Sequence, residues 1–183
     1  MNAAGRQDKE LIASLNTAAD LGEPLRLTPA QAQELVREVR ELGDARRGAD
    51  IFRRVDLGCV ACHSVNGQGG NIVPDLSAVG TAQPVDFIIG AILDPQKEIK
   101  EGYTSLSVTT KDGEEYQGYQ VRETGYELVL RDLLQNKEVR LRRDTIKTKN
   151  PNGSLMPTGL VDPLTRAEFR DLVRFLSELG KPR

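Results

Sequence analysis

Five consecutive residues, Cys59-Val60-Ala61-Cys62-His63, hold most of the chemistry this chain can perform. They contain both cysteines of the 183-residue sequence and its single histidine. Two thiols separated by two residues and followed directly by an imidazole form the attachment pattern of c-type haem. The thiols can add to the two vinyl groups on one porphyrin edge, and the histidine is placed to bind iron from the proximal side. Three other readings compete. A thioredoxin-like redox pair needs a strand before the motif and a helix beginning at it, whereas here a helix precedes and a glycine-rich loop follows. A zinc site would have Cys59, Cys62 and His63 plus a carboxylate, crowded together and without the second ligand pair usually found further along. Two inert cysteines beside the only histidine would be a coincidence of position.

A haem iron takes a sixth ligand or keeps an open position. Met156 is the only methionine besides Met1, and it lies in Leu155-Met156-Pro157 within a Pro/Gly-rich stretch, residues 150–159. A thioether opposite an imidazole favours ferrous iron and raises the potential, which suits electron transfer. The plainer reading is a loop methionine packed on a neighbour. Lys147 and Lys149 are poorer ligands because they stay charged and hydrated. If Met156 does not ligate, the alternative is an open-site haem sensor or haem enzyme, although a peroxidase would need distal polar groups that no second histidine supplies.

Composition excludes several classes. Lys+Arg 25 against Asp+Glu 27 gives a net charge of −2, with no large basic field to hold nucleic acid. The longest apolar run is Phe87–Leu93, whereas a membrane span needs roughly 20 residues. Two cysteines exclude a disulfide-dense scaffold. Residues 1–24 lack the apolar run of a secretory signal, so the chain is either cytoplasmic or a product without its targeting segment.

Around the motif, the apolar spacing predicts a helix over residues 10–22. Thr28, Pro29 and Gln31 sign the start of a second helix running to Leu42, and Asp44 caps a third, Ala45–Arg54. Residues 58–83 read as an irregular loop, and Pro84 opens a helix stopped by Asp94-Pro95. Alternating patterns between Tyr103 and Ile146, with a turn at Asp112-Gly113, predict about four antiparallel strands. Thr165 and Glu168 cap a last amphipathic helix that stops at Gly180. Residues 137–149 carry an excess of positive charge from Lys137, Arg140, Arg142, Arg143, Lys147 and Lys149. This is either a collar that steers an acidic partner or the solvated face of an edge strand.

With these residues in place, the chain resembles a class I cytochrome c. The resemblance rests on Gly48-Ala49-Asp50-Ile51-Phe52, the motif at 59–63, Pro74-Asp75-Leu76, Met156-Pro157 and the closing helix. It implies a mainly α, cytochrome c-like helical haem domain over 44–183, with a small antiparallel sheet inserted at about 103–146 and a helical extension at 1–43. It also implies close crossing of the first and last core helices, bringing Gly48 and Phe52 against Phe169 and Val173. The Pro74 carbonyl would accept the free ring proton of His63 and fix its tautomer. Leu76, Val79, Ile88, Ile92, Leu155 and Leu160 are candidates for the apolar wall of the haem. More specifically, residues 44–180 resemble the haem-binding domain of planctomycete and verrucomicrobial type, found at the C-terminus of large dehydrogenases. That match rests on Ala91-Ile92-Leu93-Asp94-Pro95, Ile99 with Tyr103, Thr110-Lys111-Asp112-Gly113, and Ser154 through Leu160. Val73 stands where that pattern usually has glycine.

The resemblance implies one covalently bound haem c, with its iron held by His63 and Met156, and no catalytic residues. The function it implies is electron shuttling from a dehydrogenase to a downstream cytochrome or oxidase. Haem c attachment takes place outside the cytoplasm, so the expected location is periplasmic, and the chain is plausibly part of a longer exported polypeptide.

Overall fold

The computed structural model describes residues 27–133 and 137–182. The helix expected over residues 10–22 lies outside them. The chain divides into two compact units, one of residues 1–59, 78–93 and 159–183, the other of residues 60–77 and 94–158.

The first unit is helical. Helix α1 (Pro29–Leu42) starts at a reciprocal cap in which Gln31 N donates to Thr28 Oγ1 and Thr28 N donates to Gln31 Oε1. Helix α2 (Ala45–Phe52) is capped by Asp44, which accepts from Arg46 N and Arg47 N. The short helix α4 (Val79–Ala82) and helix α5 (Val85–Leu93) follow later in the chain. The last helix, α6 (Arg166–Glu178), is capped by Thr165 and Glu168 and forms the hub, touching α1, α2, α4 and α5. Leu35, Val39, Phe169 and Val173 are fully buried, each burial contributing roughly 1.5–3 kcal/mol.

Where α2 crosses α6, Gly48 leaves no room for a side chain: a Cβ there would collide with the Asp171 carbonyl and lie 2.7 Å from Phe175 Cβ. Phe52 meets Phe175 with ring centroids 5.5 Å apart. The nearest neighbours of Gly48 thus lie on Asp171 and Phe175, offset along α6 from the Phe169 and Val173 that the resemblance implies. The buried Asp171 carboxylate accepts from Asp44 N at 3.0 Å and from Arg47 Nε at 2.9 Å, tying the start of α2 to α6.

The second unit is built on β structure. A two-stranded hairpin, β1 (Ser64–Val65) with β2 (Gln68–Gly69), follows the cysteine motif. Five further strands form one antiparallel sheet: β3 (Ser105–Thr110), β4 (Glu115–Glu123), β5 (Glu127–Asp132), β6 (Lys137–Arg142) and β7 (Ile146–Gly153), in the order β6-β5-β4-β3-β7. Leu106, Val108, Leu128, Leu130 and Leu141 form its core, flanked by Tyr116, Val139 and Ile146.

This corrects the expected fold class. The described residues hold a five-stranded antiparallel sheet and six α-helices, so the chain is mixed α and β rather than mainly α with a small insert at 103–146. The sheet also runs on to Gly153, through a stretch read as loop. The physical reason is that β7 is an edge strand bonded only to β3, with residues 147–152 all exposed. Such a strand buries no alternate face and so shows no period of two, and Pro151 is tolerated because it stands on an edge strand opposite Leu106, where the register with β3 shifts. Among the described residues no helix is long and apolar enough to cross a membrane.

Candidate functional site

Cys59–Cys62 form a single helical turn, α3, that places the two thiols one turn apart. The αL residue Gly58, with φ +67°, ends the preceding 3-10 turn and lets the chain reverse into it. Neither cysteine is in a disulfide. Cys59 is half-buried and Cys62 exposed.

The loop after the motif folds back onto it. The hairpin turns at Asn66 and Gly67, both at positive φ (52° and 75°), as a type I′ turn requires. Gly70 N donates to Val60 O at 2.8 Å, and a Cβ on Gly70 would press into Ala61 O and lie 2.6 Å from Ala61 C. Gly69 is equally tight against the His63 carbonyl. Two adjacent glycines therefore let the loop lie directly on the backbone of the motif. Further along, Leu76 N donates to Ser64 O at 2.8 Å.

That return path brings Pro74 to His63. The ring Nδ1 lies 2.8 Å from Pro74 O. A carbonyl can only accept, so the proton sits on Nδ1 and the Nε2 lone pair faces away from the loop as a potential metal ligand. Burial holds the His63 pKa below its ordinary value, and the weaker opposing effect of the Pro74 bond does not reverse this. The ring is thus neutral near pH 7, the form that ligates iron. This donor set fits a haem: two unbridged thiols on one turn, and a neutral imidazole with its second nitrogen already committed. Among the described residues no three His, Cys, Asp or Glu side chains gather as an ion-holding group, so Cys59, Cys62 and His63 do not converge as a zinc site would require.

Met156 is half-buried on a loop with its own anchor. The Gln96 side chain grips Ser154 at both backbone groups, accepting from Ser154 N at 2.9 Å and donating to Ser154 O at 3.1 Å. Ser154 Oγ in turn accepts from Met156 N at 3.2 Å. Leu155 and Leu76 are half-buried in this same unit. Of the other wall candidates, Ile88 and Ile92 are core residues of the helical unit, while Val79 and Leu160 are half-buried there. The structure brings His63 and Pro74 into contact.

The basic run at 137–149 is not one patch. Lys137–Arg142 form one edge of the sheet and Lys147 and Lys149 the opposite edge. Arg142 pairs with Asp144, while Arg143 and Lys149 both pair with Glu123. That arrangement matches protected edge strands better than a steering collar.

Reading the sequence missed Ser64, Ser77, Gln96 and Tyr119, and gave Asp75 no role beyond its place in the Pro74-Asp75-Leu76 block. For the hairpin a signal was present, the Asn66-Gly67 dipeptide. Tyr119 on β4 is 4% exposed and meets Tyr103 edge to face, with centroids 5.3 Å apart. Burial first, then the neighbouring charges of Cys62 and Tyr103, push its phenol up to about 12 from 10.0. The folded chain then keeps a proton that the unfolded chain releases, so stability falls as pH rises from about 10 to about 12. In an alkaline titration followed by phenolate absorbance, Tyr119→Phe should remove an ionisation step near pH 12. A variant whose curve matches the parent's in that range would contradict the burial.

A search of curated proteins finds no match to the chain. Residues 45–124, a stretch that starts with α2, includes Cys59–His63 and ends before Met156, match the protein-family model described as Cytochrome c, which supports a cytochrome c domain in this part of the chain.

Proposed function

We propose that the chain is a single-haem electron-transfer module, in which Cys59 and Cys62 would bond haem c and His63 and Met156 would hold its iron. The observation that carries this reading is the 2.8 Å contact between His63 Nδ1 and Pro74 O beside the paired cysteines, which orients a neutral imidazole with one nitrogen left over. Haem supplies a one-electron iron couple when bound. The chain's own residues have three tasks: to hold both axial groups, to keep water from the iron, and to leave one edge of the cofactor within reach of a partner. Nothing in such a module needs a substrate pocket, so the protein acts as a carrier rather than an enzyme.

The finer reading is the haem-binding domain of planctomycete and verrucomicrobial type, supported by the sequence blocks from Ala91 to Pro95 and from Ser154 to Leu160. Its partners would be a dehydrogenase as donor and a cytochrome or oxidase as acceptor, and its location periplasmic, because covalent attachment takes place there.

The test is a visible spectrum of the purified protein, oxidised and reduced, with and without carbon monoxide. Covalently retained haem whose reduced spectrum ignores carbon monoxide supports a carrier with both axial positions filled. A clear shift favours a sensor or haem enzyme with Met156 off the iron. Absence of haem from cells able to attach it overturns the reading altogether.

A further inference from the structure

We propose that Asp75 is a positioning residue for His63, its carboxylate clasping the chain on both sides of the His63–Pro74 contact so that the imidazole is fixed for axial ligation; this rests on the haem reading above. His63 touches Pro74, and the residues that follow each of them are themselves bonded: Ser64 Oγ donates to Asp75 Oδ2 at 2.6 Å. The other carboxylate oxygen, Oδ1, accepts from Ser77 N at 2.8 Å, and Ser77 Oγ accepts from Asn66 N at 2.6 Å. Leu76 N on Ser64 O completes the set. One charged acceptor therefore joins the strand leaving the motif to the loop returning past it, directly beside the ring contact.

Asp75 is exposed, and its bonds act together because they converge on one short stretch of chain. Hydrogen bonds to an ionised carboxylate are shorter and roughly twice as strong as neutral ones. Pro74 itself has no N–H with which to anchor its own position, so its neighbours do so, Val73 N donating to Cys62 O at 3.5 Å and Asp75 accepting from Ser64 Oγ. The glycines Gly69 and Gly70 already bring the loop to its closest approach, and Asp75 sets where along that approach the Pro74 carbonyl falls.

A bond from Nδ1–H to a carbonyl makes the imidazole a more electron-rich ligand and favours the ferric state. Loosening that bond should shift the balance towards ferrous. The experiment compares the full-length haem-loaded chain with Asp75→Ala and Asp75→Asn, reading the ferrous-to-ferric ratio at fixed ambient potential. Asparagine can still accept from Ser77 N and, through its amide group, donate to Ser64 Oγ, so it keeps the clasp and removes only the charge. The expected result is about a threefold rise in the ratio for Asp75→Ala, with Asp75→Asn close to the parent, a modest effect beside the roughly 10–100-fold in metal affinity or activity that loss of a direct outer-shell partner typically costs. Equal shifts in both variants would mean that the charge acts through space, and no shift in either would mean that Pro74 holds without help; both overturn the proposal.

A second readout separates this from the haem reading. In the haem-loaded chain, exchange of the His63 Nδ1 proton, followed by NMR, should be faster in Asp75→Ala and unchanged in Asp75→Asn. If the parent binds carbon monoxide, the electron-carrier reading fails, yet this exchange still decides the clasp: equal exchange in all three chains sinks it.

Discussion

Met156→Ala is expected to turn a protein that ignores carbon monoxide into one that binds it, and to lower the reduction potential by on the order of 0.2 V, a quarter of the roughly 0.8 V range that axial ligands span. As an iron ligand the thioether would stabilise the ferrous state, so removing it would favour ferric iron and open one coordination position. The loop should survive the change. Its anchors are backbone groups, Ser154 N and O on the Gln96 side chain and Met156 N on Ser154 Oγ, and none of them involves the methionine side chain. Unchanged circular dichroism in the variant would therefore separate ligand loss from misfolding. Met156→Leu, similar in volume, should bind carbon monoxide as well, which removes cavity formation as the cause. Variants that keep the parent spectrum and potential would show that Met156 is a packing residue and that another group, or none, faces His63.

How much of this was legible in the sequence depended on what each residue does locally. The helix starts at Thr28, Asp44 and Thr165 were readable because a cap is a contact within four residues, and each forms as its residue types dictate. Strands β3 to β5 were readable because Leu106, Val108, Leu128 and Leu130 alternate into one core. The failures share a cause as well. Strand β7 is almost wholly exposed, so its partner β3 rather than its own pattern makes it a strand, and weighing the helical resemblance above the strand count led to the wrong fold class. At the candidate site, the motif announced its chemistry because cysteine and histidine are rare here. The clasp at Ser64, Asp75 and Ser77 did not, because serine and aspartate are common in loops and only the fold brings residues 64 and 75 together.

Gly48→Ala should lower stability by about 2–3 kcal/mol, while the same change at Gly90 should raise it, a contrast between two helical glycines that local propensity treats alike. Alanine gains about 1 kcal/mol over glycine in a helix interior. At Gly90, in α5, an added Cβ meets nothing within 4 Å, so that gain should appear almost whole, at about 0.5–1 kcal/mol. At Gly48 the new Cβ would drive into the Asp171 carbonyl, 2.6 Å from its carbon and 2.7 Å from Phe175 Cβ. The obstacle is mainly backbone, which no rotamer change can clear, so α2 and α6 must separate. That separation loosens the Phe52–Phe175 pair and stretches Asp171 away from Asp44 N and Arg47, leaving a buried carboxylate with fewer partners. Overpacking of this kind costs about 1–3 kcal/mol and sometimes more, and partial loss of a buried charge's partners adds to it. The sum exceeds the propensity gain. Thermal melts of the two variants should therefore move in opposite directions, Gly48→Ala downward by roughly 4–12 °C, at about 2–4 °C per kcal/mol for a chain of this size. If both variants melt at or above the parent temperature, the close crossing of α2 and α6 is not what holds the helical unit together.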